Sequence, residues 1–324
     1  MFLIVAPIFL VILVGYGYGR LKPDSHGADK LINDYVLYVA LPALLFVAVA
    51  GAGRGELRQW GFMLSTLAGI AAVYGLALGM AGRMGIGLPQ ASILGMGACY
   101  GTTGYLGVPI LIAVYGPQAA WPAALATILH NIPAIMAVVI RCEVFASRPG
   151  AGAGREPLLR SLGSALLIPL KNPLTLSVLA GLAFVLFGLR VPASIDTFAR
   201  FLGNAAGPTA LFALGLGLSR LNLKAHLNAT AARIVLPMIA LKLFVQPAIT
   251  WAVAVHLLGM SAAQGPWLAA AVVMAAQPVG AGGDVFARKY GDQQGQEMIS
   301  LAISVSLLFA LVTIPVVLSL FPAA

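Results

Sequence analysis

Apolar stretches of about twenty residues recur along nearly the whole chain, with most of the charge held in the short connections between them. A hydrocarbon core of about 30 Å takes roughly 20 residues of helix to cross, so each stretch is long enough to span a bilayer. Ten segments are read this way: 2–19, 31–51, 60–82, 89–115, 119–140, 172–189, 197–219, 231–256, 264–287 and 296–321. Composition agrees: 60% of the 324 residues are hydrophobic and 9% are charged, too few charges to cover a soluble surface of this size. With lipid as solvent the backbone must satisfy itself, which predicts an all-α polytopic membrane protein with ten transmembrane helices.

The charge is basic, with 19 Lys and Arg against 10 Asp and Glu. The basic residues are not interleaved with aromatics, so a nucleic-acid partner is not expected; enrichment of cytoplasmic loops explains them. With both termini outside the cytoplasm, the inner connections hold fourteen Lys and Arg and the outer ones only Arg54, Arg58, Arg190 and Arg200. That asymmetry places the 141–171 segment in the cytoplasm. Its Gly-Ala-Gly-Ala-Gly run and five basic residues predict a flexible linker between a first five-span repeat, 1–140, and a second, 172–324. Residues 2–19 lack a basic leader and a small-residue cleavage site, so they read as a retained span. Cys99 and Cys142 read as small buried hydrophobes.

The two halves echo each other. APIFLVILVGYGYGRL at 6–21 resembles NPLTLSVLAGLAFVLFGL at 172–189, and YVALPALLF around Pro42 resembles GPTALFALG around Pro208. Pro7 to Pro173 and Pro42 to Pro208 are both 166 residues apart, so one register holds across two spans. Spans four and nine both close on Tyr-Gly, at Tyr115 and Tyr290. An odd number of spans per repeat inverts the second copy, and inverted repeats are the signature of secondary transporters.

Spans four and nine are each interrupted. Span four carries Gly101-Thr102-Thr103-Gly104 and then Pro109; span nine carries Gln277-Pro278 followed by Gly280, Gly282 and Gly283. Glycine lowers helix propensity and proline removes a donor, which predicts two broken helices crossing at mid-depth. Each restarted half-helix presents unpaired N–H groups and a partial positive charge, an environment suited to an anion. The expected substrate contacts are Thr102, Thr103, Gly104, Tyr105 and Asn131 from one half, and Gln277, Gly280, Ala281 and Gly282 from the other. Asp284 reads either as a first-turn carboxylate stabilised by the helix dipole or as a proton or cation site. His130 and Asn131 either hydrogen-bond between helices or line the cavity. Lys242, deep in span eight, either pairs with a carboxylate such as Asp284 or counters a substrate anion. Asp284, His130 and Lys242 are thus the candidates for proton or sodium coupling. No cluster has metal-ligand spacing and no phosphate-binding loop is present, so neither an enzyme, a metal site nor a bound cofactor is expected.

PIFLVILVGYGYGRL, YVALPALLF, TGYLGVPILIAVYG, NPLTLSVLAGL and PTALFALGLGLS, in this order and spacing, resemble the auxin efflux carrier family, which has bacterial members and the plant PIN auxin exporters. The resemblance implies a homodimer through scaffold spans 1, 2, 6 and 7, and a mobile transport domain of spans 3–5 and 8–10. It also implies elevator-like transport of organic acids such as auxin or malonate across a bacterial inner membrane, with the broken helices crossing at Pro109 and Pro278. Thr102 stands where many members have asparagine, Gly282 at the corresponding ninth-span position, and Asp284 where an apolar residue is common. A sodium symporter of the bile-acid type, an anion channel and a membrane receptor are the alternatives.

Overall fold

In an apolar solvent each backbone N–H needs an acceptor on its own chain, and the fold meets that demand with helices. The structure, a computed structural model, describes residues 2–22, 28–53, 58–142, 163, 167, 170–219, 229–261 and 265–322. Most of the 141–171 linker therefore lies outside the described residues, as do Arg54, Arg220 and Lys224 of the charge asymmetry.

The first half comprises α1 (Phe2–Leu21), α2 (Ala28–Tyr35), α3 (Leu41–Ala50), α4 (Trp60–Arg83), α5 (Gln90–Cys99), α6 (Val108–Tyr115) and α7 (Ala120–Ile140). The second comprises α8 (Pro173–Phe187), α9 (Ala193–Asn204), α10 (Ala206–Leu218), α11 (Ala229–Ala240), α12 (Gln246–Ala252), α13 (Trp267–Ala275), α14 (Gly282–Tyr290) and α15 (Gln293–Leu320). Wider π turns join α2 to α3, precede α6 and join α11 to α12, so these run on as longer rods. Among the described residues, six helical stretches are long and apolar enough to cross a membrane: Lys30–Ala50, Trp60–Arg83, Pro117–Ile140, Ala193–Leu218, Ala232–Leu257 and Gln293–Leu320. The expected spans four and nine are instead each in two pieces.

Local chemistry sets several helix ends. Asn172 accepts the Leu174 amide at 2.9 Å at the start of α8, Pro173 fills its first position, and Gly188 ends it in the left-handed region at φ 67°. Asp292 caps α15 through the Gly295 amide at 2.8 Å. The α5 and α13 segments leading to the breaks are buried along their whole length from Ala91 to Cys99 and from Trp267 to Ala275, as expected of helices apolar on every face.

α1 packs lengthwise on α10 and α3 on α8, and one contact occurs twice. A side chain at Gly15 would overlap the Phe212 carbonyl, and one at Gly181 would press on the Phe46 carbonyl at 2.9 Å. Only glycine lets these backbones approach so closely. The rings repeat it: Tyr18 meets Phe212 at 5.8 Å between centroids, and Phe184 meets Phe46 at 5.3 Å. Gly15, Tyr18 and Phe46 lie 166 residues before Gly181, Phe184 and Phe212, the offset that separates the matched prolines. The sequence echo is thus also an echo in packing.

Candidate functional site at the crossing of two broken helices

The helix breaks at Tyr100–Thr102 and again between Ala276 and Ala281, and the two interruptions pair antiparallel. Thr102 N donates to Pro278 O at 2.9 Å, and Gly280 N donates to Tyr100 O at 3.0 Å. These bonds flank the bridge between Gly101 and Val279, the only strand-like pairing among the described residues. Thr102 Oγ1 donates to Val279 O at 3.1 Å, and Val279 N donates to Ser306 Oγ on α15 at 3.0 Å. Non-helical backbone deep in an apolar bundle is thereby satisfied within protein, as lipid requires.

Glycine is needed where these chains touch. A side chain at Gly280 would overlap the Tyr100 ring, and one at Gly282 would meet the Tyr100 hydroxyl at 2.5 Å. Beyond the crossing the helices restart, with a π turn at Thr103–Gly107 and with α14 at Gly282. A helix start leaves its first amides without an intrahelical acceptor, here at Thr103, Gly104 and Tyr105 and at Ala281 and Gly282. Thr103 and Gly104 are buried, Thr102, Tyr105 and Gly282 half-buried, and Ala281 exposed.

The expected side-chain contacts are distributed differently from one another. Thr102 spends its hydroxyl proton on the Val279 carbonyl and keeps only lone pairs to offer. The Thr103 hydroxyl is buried without a partner. Tyr105 reaches away from the crossing, donating to Asn33 Oδ1 on α2 and lying 3.3 Å from the Ala210 carbonyl on α10. Gln277 folds back on its own helix through Val273 O at 3.0 Å, which leaves its Oε1 unpartnered. Asn131 is half-buried on α7, the helix that covers the Thr103–Gly107 turn.

One crossover residue is corrected. The chains cross at Gly101 and Val279, beside Pro278, whereas Pro109 sits at the start of α6, well past the crossing. The wider π turn at Thr103–Gly107 runs straight into α6, and such a turn accommodates the missing donor of Pro109 without breaking the rod.

The three ion-coupling candidates do not form one cluster. Asp284 accepts Arg288 Nε at 2.7 Å in a partly exposed i,i+4 pair, with Ser300 Oγ at 3.5 Å. Lys242 is fully buried, and its Nζ donates to Gln246 Oε1 at 2.8 Å and to Ala275 O at 2.6 Å; of its two readings, the pair with Asp284 is not made. His130 is fully buried with Nδ1 2.9 Å from Ala126 O; a carbonyl only accepts, so Nδ1 donates, and Nε2 has no hydrogen-bond partner. Sequence reasoning missed Asn33, Tyr100, Gln246 and Ser306. Only Gln246 left a signal, a Gln-Pro pair in span eight that echoes Gln277-Pro278.

A separate groove of about 850 Å³ between α12 and α15 is lined by Phe244, Pro247, Trp251, Phe309 and Val316, with Thr313 as its one polar side chain. It offers an anion almost nothing.

A family model described as "Membrane transport protein" matches residues 1–318. The chain belongs to this family of membrane transporters, the auxin efflux carriers that its motifs resemble. It is 29% identical over 319 residues to a Rhizobium meliloti protein named "Putative malonate transporter", covering 96% of this chain and 93% of that one. It is 28% identical over 217 residues to the "Uncharacterized transporter YfdV" of Escherichia coli K12, covering 66% and 67%. The "Lysosomal cholesterol signaling protein" of Mus musculus shares 28% identity over 217 residues, 64% of this chain but 24% of that protein. These relatives are named as transporters or as a signalling protein, and none as an enzyme.

Proposed function

We propose that this transporter moves small organic anions, carboxylates such as malonate, other dicarboxylic acids or auxin-like acids, by secondary active transport at the crossing of the two broken helices. The observation that carries the reading is the antiparallel pairing at Gly101 and Val279, which brings two helix N-termini to one place. Unpaired amides and converging dipoles there favour negative charge, and burial in a low-dielectric bundle strengthens the attraction. The open edge of the crossing supplies the contacts, the exposed Ala281 and half-buried Gly282 amides, with Asn131 of α7 as the candidate side-chain donor, while the Thr102 hydroxyl proton stays on the Val279 carbonyl. The name of the Rhizobium relative makes malonate the first substrate to try.

Ten crossings as two inverted five-span repeats, 1–140 and 172–324, complete the proposal. The twice-made contact of Gly15 with Phe212 and Gly181 with Phe46 supports it, because an inverted repeat makes each interface in duplicate. Those contacts join spans one and seven and spans two and six, the scaffold through which a homodimer would form. Spans 3–5 and 8–10, with the crossing, would carry the anion in an elevator-type movement. Both termini then lie outside the cytoplasm of a bacterial inner membrane.

The test is uptake of labelled malonate into proteoliposomes. Saturable uptake, accelerated by unlabelled malonate inside, is expected. Unitary currents in a planar bilayer without such trans-stimulation would make the protein a channel and overturn the reading. A thermal-shift screen of mono- and dicarboxylates on the purified protein ranks the substrates.

A further inference from the structure

Lys242 is the only Lys, Arg, Asp or Glu buried among the described residues, and it is buried completely. A lone ammonium out of water is costly unless its protons find acceptors. Two do: Gln246 Oε1, one turn along the same rod, and Ala275 O. Ala275 is the last residue of α13, so its carbonyl has no helical donor and carries the partial negative charge of a helix C-terminus. Water or an ion serves such an end at a protein surface; here the end is buried beside the crossing. The other broken chain touches the same point, since a side chain at Gly101 would lie 3.1 Å from the Lys242 ammonium. No carboxylate pairs with Lys242 among the described residues, so the charge answers the helix end and not a counter-ion.

We propose that the Lys242 ammonium is a tethered cation, occupying at the end of α13 the place that a mobile monovalent cation would otherwise fill, so that the crossing is held together without sodium. Lys242 is thus a positioning residue: it holds the second break in register with the first. The inference builds on the crossing as the transport site, but its first test needs no substrate, so the two can fail separately. Cutting the side chain back leaves the Ala275 carbonyl and the Gln246 side-chain oxygen around an empty space that a sodium or ammonium ion fits.

The experiment compares the thermal stability of purified wild type, Lys242→Ala and Lys242→Met in matched sodium, ammonium and choline chlorides. The wild type is expected to unfold at one temperature in all three. Lys242→Ala is expected to unfold several degrees lower in choline and to recover saturably with sodium or ammonium. Lys242→Met, which refills the space without charge, is expected to be destabilised and indifferent to cations. Malonate uptake should follow, with Lys242→Ala roughly tenfold or more below wild type in choline and partly restored by ammonium. If Lys242→Ala folds only when purified in sodium or ammonium, the inference stands; if it folds in none of the salts, or folds but ignores them, it is overturned. A wild type stabilised specifically by sodium, or a Lys242→Met as stable as wild type, overturns it as well.

Discussion

The two breaks solve one problem in opposite ways. The first is short, Tyr100–Thr102, and is served by the second: the Thr102 amide and hydroxyl both bond across the crossing, to Pro278 and Val279, and the restart at Thr103 and Gly104 is buried. The second runs from Ala276 to Ala281, and its one polar side chain, Gln277, turns back onto Val273. Its polar groups are served from elsewhere, the Val279 amide by Ser306 on α15 and the Ala275 carbonyl by Lys242. It is also the break with an exposed edge, at Ala281. The difference teaches that a break whose polar groups are mostly backbone needs neighbours to hold it, because glycine and alanine cannot. Substitutions at the second break or its props should therefore cost more than comparable ones at the first.

The sharpest contrast is steric. At Gly280 a new side chain runs into the Tyr100 ring and lies 2.9 Å from the Gly101 carbonyl, neither of which can retreat without opening the crossing. At Gly104 the obstacles are the ends of Leu174 and Thr127, at 2.7 and 3.2 Å, which can turn aside. Gly280→Val is expected to abolish malonate uptake, and Gly104→Ala to reduce it only several-fold, since overpacking costs about 1–3 kcal/mol where neighbours yield. Equal losses at the two positions in a proteoliposome assay would erase the asymmetry.

Next in size is Ser306→Ala, which strands the Val279 amide in the core. An unpaired buried amide costs about 1–3 kcal/mol, so a fall of several degrees in unfolding temperature is expected. Ser304→Ala, two residues away, where the hydroxyl bonds only the Ser300 carbonyl of its own helix at 3.0 Å, is the control and should change little. If the two variants melt together, Ser306 does not support the break.

Thr102→Ala tests the first break. It removes one hydroxyl bond worth about 0.5–1.5 kcal/mol, so an increase in KM of up to about tenfold is expected, with Thr102→Ser close to wild type. An unchanged KM in Thr102→Ala would show that the break is held by its backbone bonds alone.

How much of this was legible in the sequence follows from what each signal encodes. Hydropathy reads the solvent of a segment, so the apolar runs and the two interruptions could be found by counting. Register reads repetition, so the 166-residue offset of Pro7 and Pro173 anticipated the paired contacts of Gly15 and Gly181. Partners across the fold leave no such trace. Nothing near Lys242 in the sequence points to Ala275, 33 residues on, and nothing near Val279 points to Ser306. Pro109 misled because a proline that follows a wider π turn can sit within a continuing rod without breaking it. The same limit applies to Asp284: a carboxylate at membrane depth suggested ion coupling, while its actual partner, Arg288, lies on its own helix.

Asp284 gives the smallest expected effect and the last check on the asymmetry. Its pair with Arg288 joins a carboxylate side chain 25% exposed to a guanidinium 72% exposed, in i,i+4 geometry. Pairs of this kind contribute about 0–1 kcal/mol and weaken with salt. Asp284→Asn should leave malonate uptake within about twofold of wild type and its response to sodium unaltered. Loss of a pH or sodium response in Asp284→Asn alone would return ion coupling to this carboxylate. The second break would then contribute a titrating side chain as well as backbone, and its contrast with the first would no longer rest on amides and borrowed partners.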